Sequence, residues 1–250
     1  MSLVCKRCKA IFDTEIKFCS ECGESISKHI EIKKIETINL IIGFYATMLV
    51  FIAVVYFIGD VYPENFVADL VIEITFALII IGFSILDFKN ILKLYSVQSI
   101  NWRLLLIVIV TPIISSLIVY YFIEFVTFLM DNGESSNYFV SYLYLEHPLF
   151  WAIFFVAIMP PIFEELAFRG FLFNKLREIT SSNLTIIATA FLFALIHFSF
   201  ISFLWIFPFG LLLGYLRSKY NTIWLGVIVH FLHNLIVLML DYYDYYKMLE

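Results

Sequence analysis

Three short polar motifs interrupt the apolar C-terminal half of the chain. They are Glu164-Glu165-x3-Arg169, Phe193-x3-His197 and His230-x3-Asn234. Carboxylates and imidazoles commonly transfer protons in hydrolysis, and amide or imidazole N–H groups can stabilise an oxyanion. Ionisable residues inside apolar segments are costly to insert and generally functional. We therefore expect the three motifs to converge on one cavity.

The spacing of the first motif separates its two glutamates. Glu165 and Arg169 are four residues apart, so they share one face of a helix and can form an ion pair. Glu164 lies about 100° further around the helix, with no cation on that helix. A carboxylate in an apolar site without a fixed cation suits a general base or acid. The motif predicts Glu164 for the chemistry and the other two residues for support; the alternative is a charge cluster stabilising a helix end.

The histidines also have plain structural interpretations. His230 and Asn234 share a helix face, where they could stabilise an oxyanion or form a polar contact between helices. His197 alone could be a buried packing residue. Glu73 and Glu124 also fall within apolar segments, and we interpret both as packing or near-interface residues.

The composition predicts a membrane protein. The chain is 62% hydrophobic and 15% charged, with a mean hydropathy of +0.93, whereas soluble domains are roughly 45–50% apolar and about 25% charged. About 20 apolar residues cross the hydrocarbon core of a bilayer. Seven candidate spans cover residues 38–58, 66–86, 104–130, 149–177, 184–200, 202–216 and 223–240. The predicted fold class is an all-α polytopic membrane helical bundle with a small N-terminal zinc ribbon.

The basic residues alternate between successive loops. Lys and Arg occur before the first span and in residues 87–103, 175–177 and 217–221, but are absent from residues 59–65, 131–148 and 198–201. Cytoplasmic loops carry the Lys and Arg excess. The pattern predicts a multi-pass cell-membrane protein with a cytoplasmic N-terminus and a C-terminus outside.

The four cysteines form two closely spaced pairs near the N-terminus, Cys5-x2-Cys8 and Cys19-x2-Cys22. Four thiolates at this spacing suit structural, tetrahedral zinc. Two disulfides are the alternative, which a cytosolic location disfavours. The surrounding cations would favour the thiolates; they are Lys6, Arg7, Lys9 and Lys17.

The predicted domain organisation has four parts. Residues 1–28 form the zinc ribbon, 29–37 a linker, 38–242 the transmembrane bundle with a protease-like core at 149–240, and 243–250 a C-terminal tail. The ribbon could bind a cytosolic protein partner.

In order and spacing, the three motifs resemble those of the CPBP intramembrane proteases, which include type II CAAX prenyl endopeptidases and the Abi bacteriocin-immunity proteins. The resemblance covers about residues 149–240. It implies that Glu164 activates water, that His197 assists or helps to hold a metal, and that His230 and Asn234 stabilise the oxyanion. Glu165 and Arg169 would orient the site.

The resemblance also implies a possible second zinc ion, bound by Glu164, His197 and His230. It gives His233 no role, so loss of His233 should matter less than loss of His230.

The sequence thus predicts an endopeptidase that hydrolyses membrane-associated substrates, through CAAX-type processing or a bacteriocin-immunity-like activity. Its expected partners are membrane lipid and a peptide or lipidated peptide; we do not expect nucleic acid. The alternatives are a transporter that uses the buried charges as a relay and a non-catalytic scaffold that recruits a partner through the ribbon.

Overall fold

The computed structural model describes residues 3–5, 7–12, 16, 18–24, 26–96, 102–129 and 137–249, without the side chains of residues 3, 26–30 and 103. Outside this described part lie Lys6 and Lys17, two of the cations expected to favour the thiolates. The predicted end of the third span, Met130, also lies outside it. The chain forms two compact units, Met1–Ala46 and Thr47–Glu250.

The N-terminal unit begins with a two-stranded antiparallel ribbon. Strand β1, Leu3–Val4, pairs with β2, Ile11–Phe12, so that Leu3 lies opposite Phe12 and Val4 opposite Ile11. Helix α1 then runs from Ile26 to Val61, so residues 29–37 are helical.

The rest of the described chain is almost entirely helical. Its helices are α2 Phe66–Ile85, α3 Phe88–Lys93, α4 Trp102–Leu129, α5 Pro148–Ala152, α6 Met159–Glu165, α7 Phe173–Ile179, α8 Ser182–Leu195, α9 Phe200–Tyr220 and α10 Trp224–Lys247. Two π-helical stretches, Ile153–Ile158 and Leu166–Leu172, join α5, α6 and α7 into one continuous helix.

Within the described residues, six helices are long and apolar enough to cross a membrane: Glu31–Val61, Phe66–Ile85, Leu104–Leu129, Pro148–Ile179, Phe200–Tyr220 and Trp224–Lys247. The predicted all-α polytopic membrane fold is confirmed. The predicted span at 184–200 corresponds to the shorter α8 of 14 residues. At about 1.5 Å per residue, α8 is roughly 21 Å long, less than the roughly 30 Å hydrocarbon core.

Helices α8 and α9 form a tight antiparallel hairpin. The Ser182 and Ser218 hydroxyls are 2.7 Å apart at its open end. Further along, a Cβ at Gly210 would lie 3.1 Å from the Cα of Ala190. The chain therefore returns at the end of α9 to the level at which α8 begins. The predicted alternation of inner and outer loops is the same whether or not α8 crosses the bilayer completely.

The hairpin predicts a strict size limit at Gly210. The Gly210→Val variant should lower the midpoint of thermal unfolding in detergent, because overpacking of this kind costs about 1–3 kcal/mol. Gly82 is the matched control, since a Cβ at this exposed helical position would meet nothing within 4 Å. Equal midpoints for Gly210→Val and Gly82→Val would contradict the close approach of α8 and α9.

Candidate active site and metal site

The three motifs border a single cavity of about 420 Å³. Glu164 reaches it from α6, His197 from the turn after α8, and both His230 and Asn234 from α10. The cavity is large enough for several water molecules, and its polar groups can hold them. The remaining two predicted residues, Glu165 and Arg169, lie behind its wall.

Glu165 and Arg169 form a buried ion pair. The Arg169 Nη1 lies 2.8 Å from Glu165 Oε1, and the two side chains are only 1% and 0% exposed. The guanidinium also donates to the Gly210 carbonyl over 3.3 Å and stacks 4.4 Å from the centroid of the Phe193 ring. Breaking a buried pair by removing one partner leaves an uncompensated charge. The pair therefore fixes α6 against α8 and α9.

His230 lies between the two glutamates. Its Nδ1 is 3.3 Å from Glu165 Oε1, and its Nε2 is 3.8 Å from Glu164 Oε2. Since Glu165 accepts a hydrogen bond from Nδ1–H, the ring is held with Nε2 directed towards Glu164. A Cβ on Gly226 would collide with Glu165 Oε2, so glycine leaves the space that this carboxylate occupies.

The second motif positions His197 through Phe193. The His197 Nδ1 lies 2.9 Å from the Phe193 carbonyl, four residues earlier, so Nδ1 carries the proton and Nε2 is left as an acceptor. The Phe193 ring lies edge-on to His197 and His230, with centroids 5.1 and 6.0 Å apart. Phe193 therefore contacts both histidines as well as Arg169.

Asn234 compensates for a helix defect opposite it. In an α-helix or π-helix, the Val156 carbonyl would accept from the backbone N–H of residue 160 or 161, but both are proline and have no N–H. The Asn234 amide donates to this carbonyl over 3.0 Å. One of its two amide hydrogens is thereby used, and the other remains for the cavity that Asn234 lines.

Two polar residues at the site were not assigned a role from the sequence. Glu73 of α2 lines a crevice of about 200 Å³ together with Glu164 and His197. Its Oε2 is buried and has no hydrogen-bond partner among the described residues. His233 lines the 420 Å³ cavity, with its Nδ1 2.8 Å from the Ser115 hydroxyl. A charged residue in an apolar span is costly, and this cost could have marked Glu73 as functional. The sequence does not show, however, that Glu73 lies near Glu164 and His197 in the bundle.

A three-ligand metal set is not preformed in the cavity. Within the described part of the chain, the four cysteines are the one group of three or more potential ligands whose donor atoms all lie within 4.8 Å of one another. Glu164, His197 and His230 do not meet this condition. The structure thus holds these three side chains in no tight ligand set, and the second zinc ion stays a prediction. The His230 ring is hydrogen-bonded to Glu165.

The four cysteines form a second site in the N-terminal unit. They are free thiols, with Cys5 and Cys22 sulfurs 3.5 Å apart and those of Cys8 and Cys19 3.4 Å apart. A disulfide requires about 2.05 Å, whereas sulfurs around tetrahedral zinc are about 3.8 Å apart, given a Zn–S bond of about 2.3 Å. The cluster can hold a metal ion.

The two cysteine turns are built alike. The Cys5 carbonyl accepts from Lys9 and its N–H donates to Ala10, while Cys19 makes the same bonds with Gly23 and Glu24. Lys9 and Gly23 both adopt positive φ, at 65° and 71°. This conformation is free for Gly23 and strained for Lys9.

The thiols do not titrate alike. The backbone N–H of Cys8 is the largest influence on Cys5 and lowers its pKa to about 6. At Cys8, the backbone N–H of Ala10 lowers the pKa but is outweighed by hydrogen bonding to the other thiols, first of all that of Cys19, and the pKa is raised to about 12. At Cys5, the backbone N–H of Cys8 is therefore the main stabiliser of the thiolate.

Comparison with known proteins finds a family match over a range that contains the three motifs. Residues 146–236 match the family model described as type II CAAX prenyl endopeptidase Rce1-like. The chain is also 28% identical over 189 residues to the UPF0177 protein YbdI of Lactococcus lactis subsp. lactis (strain IL1403), covering 73% of this chain and 96% of that protein. No solved structure gives a significant match. The predicted resemblance to the CPBP family is confirmed.

The orphaned Glu73 oxygen predicts a stability gain on substitution. Replacing Glu73 with Met should raise the midpoint of thermal unfolding in detergent, because a buried polar group without a partner costs about 1–3 kcal/mol. Glu124→Met is the matched control, since Glu124 is an exposed glutamate in the apolar helix α4. A lower midpoint for Glu73→Met than for Glu124→Met would show that the Glu73 carboxylate has a stabilising partner.

Proposed function

We propose that the chain is an intramembrane endopeptidase in which Glu164 activates a water molecule for attack on a peptide carbonyl. The observation that supports this most strongly is the separation of the two adjacent glutamates. Glu165 is enclosed and bound by Arg169 and His230, whereas Glu164 is 17% exposed and lines the cavity with His197, His230 and Asn234. The Rce1-like family match over these residues supports the same reaction class.

In the proposed reaction, Glu164 takes a proton from water as the water oxygen attacks the peptide carbonyl carbon. His197 presents an acceptor nitrogen to the same water. The carbonyl oxygen gains negative charge and is stabilised by His230 at Nε2 and by the second amide hydrogen of Asn234. The proton held by Glu164 then passes to the leaving amine as the C–N bond breaks, which restores the carboxylate.

Arg169 and Glu165 act through His230 in this proposal. Glu165 Oε1 accepts from both Arg169 and His230. The arginine keeps this carboxylate in place, and the carboxylate in turn keeps the imidazole oriented. Their assigned role is positioning, because neither side chain lines the cavity.

The proposed substrates are membrane-associated peptides, including lipidated ones, of the CAAX-processing or bacteriocin-immunity-like type. An apolar crevice of about 290 Å³ adjoins the catalytic cavity and shares Phe209 and His233 with it. Such a crevice can hold an apolar group of a substrate. The crevice at Glu73 offers a second approach to Glu164 and His197 from between α1 and α2.

We also propose that the N-terminus is cytoplasmic and the C-terminus outside. The predicted inner loops meet at one end, where Asn174 and Lys175 bond Asp87. The predicted outer segments meet elsewhere, since Tyr144 bonds Asp69 and the Tyr138 N–H bonds Asp241. Both groupings support the predicted alternation of the loops.

The proposed reaction requires the Glu164 carboxylate. Glu164→Gln should lower the rate of peptide cleavage by about 10²- to 10⁴-fold, the usual contribution of a general base. The measurement is single-turnover cleavage of a membrane-associated test peptide by protein in proteoliposomes. Glu124→Gln, a glutamate substitution on α4 at a residue that does not line the cavity, serves as the control and should cleave at the parental rate.

The same preparation separates the competing functions. The Glu164→Gln protein should show the parental unfolding midpoint, which excludes a folding defect as the cause of lost cleavage. Parental cleavage by Glu164→Gln would end the proposal. Ion or solute flux that depends on Glu164, without any cleavage, would identify a transporter instead.

We further propose that the metal held by the cysteines is zinc, and that the ribbon binds a protein partner. The sulfur spacing and the four-thiol ligand set favour zinc, which prefers this tetrahedral environment. The short two-stranded unit has few buried apolar side chains, so bound metal would supply much of its folding free energy.

Metal content tests the zinc assignment. The purified full-length protein should contain about one zinc per chain, and the Cys8→Ser/Cys22→Ser variant should contain almost none. Ser20→Ala, in the same turn but without a thiol change, should keep its zinc. If zinc persisted in the cysteine variant and were lost in His197→Ala, the ion would lie in the catalytic cavity. That result would contradict the activation of water by Glu164 alone.

A further inference from the structure

A second polar cavity of about 450 Å³ lies at the end of the bundle where the basic segments meet. It is formed by α3, α7, the start of α8 and the end of α9. Its lining residues are Asn90, Lys93, Leu94, Phe173, Asn174, Arg177, Glu178, Ser182, Arg217, Ser218 and Asn221. None of these residues takes part in the proposed peptide hydrolysis.

The lining carries a net positive charge. Lys93, Arg177 and Arg217 are its cations, and Glu178 is its carboxylate. Glu178 is already bonded by Lys175, over 2.7 Å, from behind the cavity wall. The three lining cations therefore exceed the negative charge that faces them.

Arg217 is held in a fixed orientation in this cavity. Its side chain stacks on Phe173, with the guanidinium carbon 5.0 Å from the ring centroid. Nε donates to the Arg169 carbonyl over 2.9 Å, Nη1 to Asn221 Oδ1 over 2.9 Å and Nη2 to Asn174 Oδ1 over 2.8 Å. A guanidinium has five N–H groups, so one hydrogen on each terminal nitrogen remains for a ligand. N–H donors on the two terminal nitrogens of a guanidinium can bind the oxygens of one phosphate.

The π-helical stretch before α7 makes the Arg217 contact available. The Phe173 N–H bonds the Gly170 and Phe168 carbonyls, three and five residues earlier, and not the Arg169 carbonyl four residues earlier. The Arg169 carbonyl can then accept from Arg217. The central cation of this cavity is thus bonded to the backbone of the residue whose side chain holds Glu165.

We propose that this cavity binds a phosphate group, and that its natural source is the headgroup of an anionic membrane lipid. The cavity lies where the apolar helix α8 begins and α9 ends. In the orientation proposed above, this end of the bundle faces the cytoplasm, where basic pockets between helices bind such headgroups. Leu92, next to Lys93, and Leu184, two residues after Ser182, are about half exposed and offer apolar surface for acyl chains. Free inorganic phosphate has the same chemistry and is the alternative source.

Binding of acyl-labelled phosphatidylglycerol to the full-length protein in neutral detergent tests the proposal. Fluorescence anisotropy should show saturable binding, and the Lys93→Gln/Arg177→Gln variant should bind about 30-fold more weakly, from about 1 kcal/mol per basic residue. Lys89→Gln/Lys219→Gln is the matched control. It removes the same charge from the same end of the bundle, at residues that do not line the cavity. Both variants change exposed side chains, and their unfolding midpoints without lipid verify the fold.

The competitor identifies the source of the phosphate. Unlabelled phosphatidylglycerol should displace the probe, while phosphatidylcholine and inorganic phosphate at equal concentration should not. If inorganic phosphate alone displaced the probe, the cavity would still bind phosphate, but its ligand would be the free anion and the lipid source would be wrong. Equal weakening in the two double variants, or none in either, would overturn the proposal, because the attraction would then be general surface charge or would lie elsewhere.

Discussion

The buried pair of Glu165 and Arg169 is the interaction on which the rest of the site depends. Both charges are almost completely enclosed, and each is shared beyond the pair: the carboxylate with His230 and the guanidinium with Gly210 and the Phe193 ring. An ion pair without water requires further hydrogen bonds and close geometry to be tolerated. Four helical segments are therefore held in register by one pair of charges, and the neighbouring Glu164 is left facing the cavity.

Two departures from α-helical bonding make the site possible. The prolines at 160 and 161 deprive the Val156 carbonyl of its helical donors, and Asn234 supplies one from α10. Further along the helix, the Phe173 N–H does not bond the Arg169 carbonyl, and the Arg217 side chain donates to this carbonyl instead. In an apolar medium each freed carbonyl must find a donor. The hydrogen bonds from Arg217 and Asn234 to these two carbonyls therefore join the long helix to α9 and α10.

The sequence predicted the membrane fold because composition and apolar run length alone decide it, and it predicted the pairing of Glu165 with Arg169 because that contact is local to one turn. It did not reveal that α8 is short, since the apolar run continues through the His197 turn into α9. Nor did it place Glu73 beside Glu164 and His197. Glu73 precedes Glu164 by 91 residues and His197 by 124, and no local pattern encodes which faces of distant apolar helices meet.

The surroundings of the two adjacent glutamates explain why Glu164, rather than Glu165, suits the chemistry. Glu165 is held by donors at one oxygen and closed in against Gly226 at the other, so it cannot approach a substrate. Glu164 Oε2 lies 3.8 Å from His230 Nε2, beyond hydrogen-bond distance. Its oxygens are therefore free to bind water on the cavity side. The bundle fixes the first carboxylate so that the second can react.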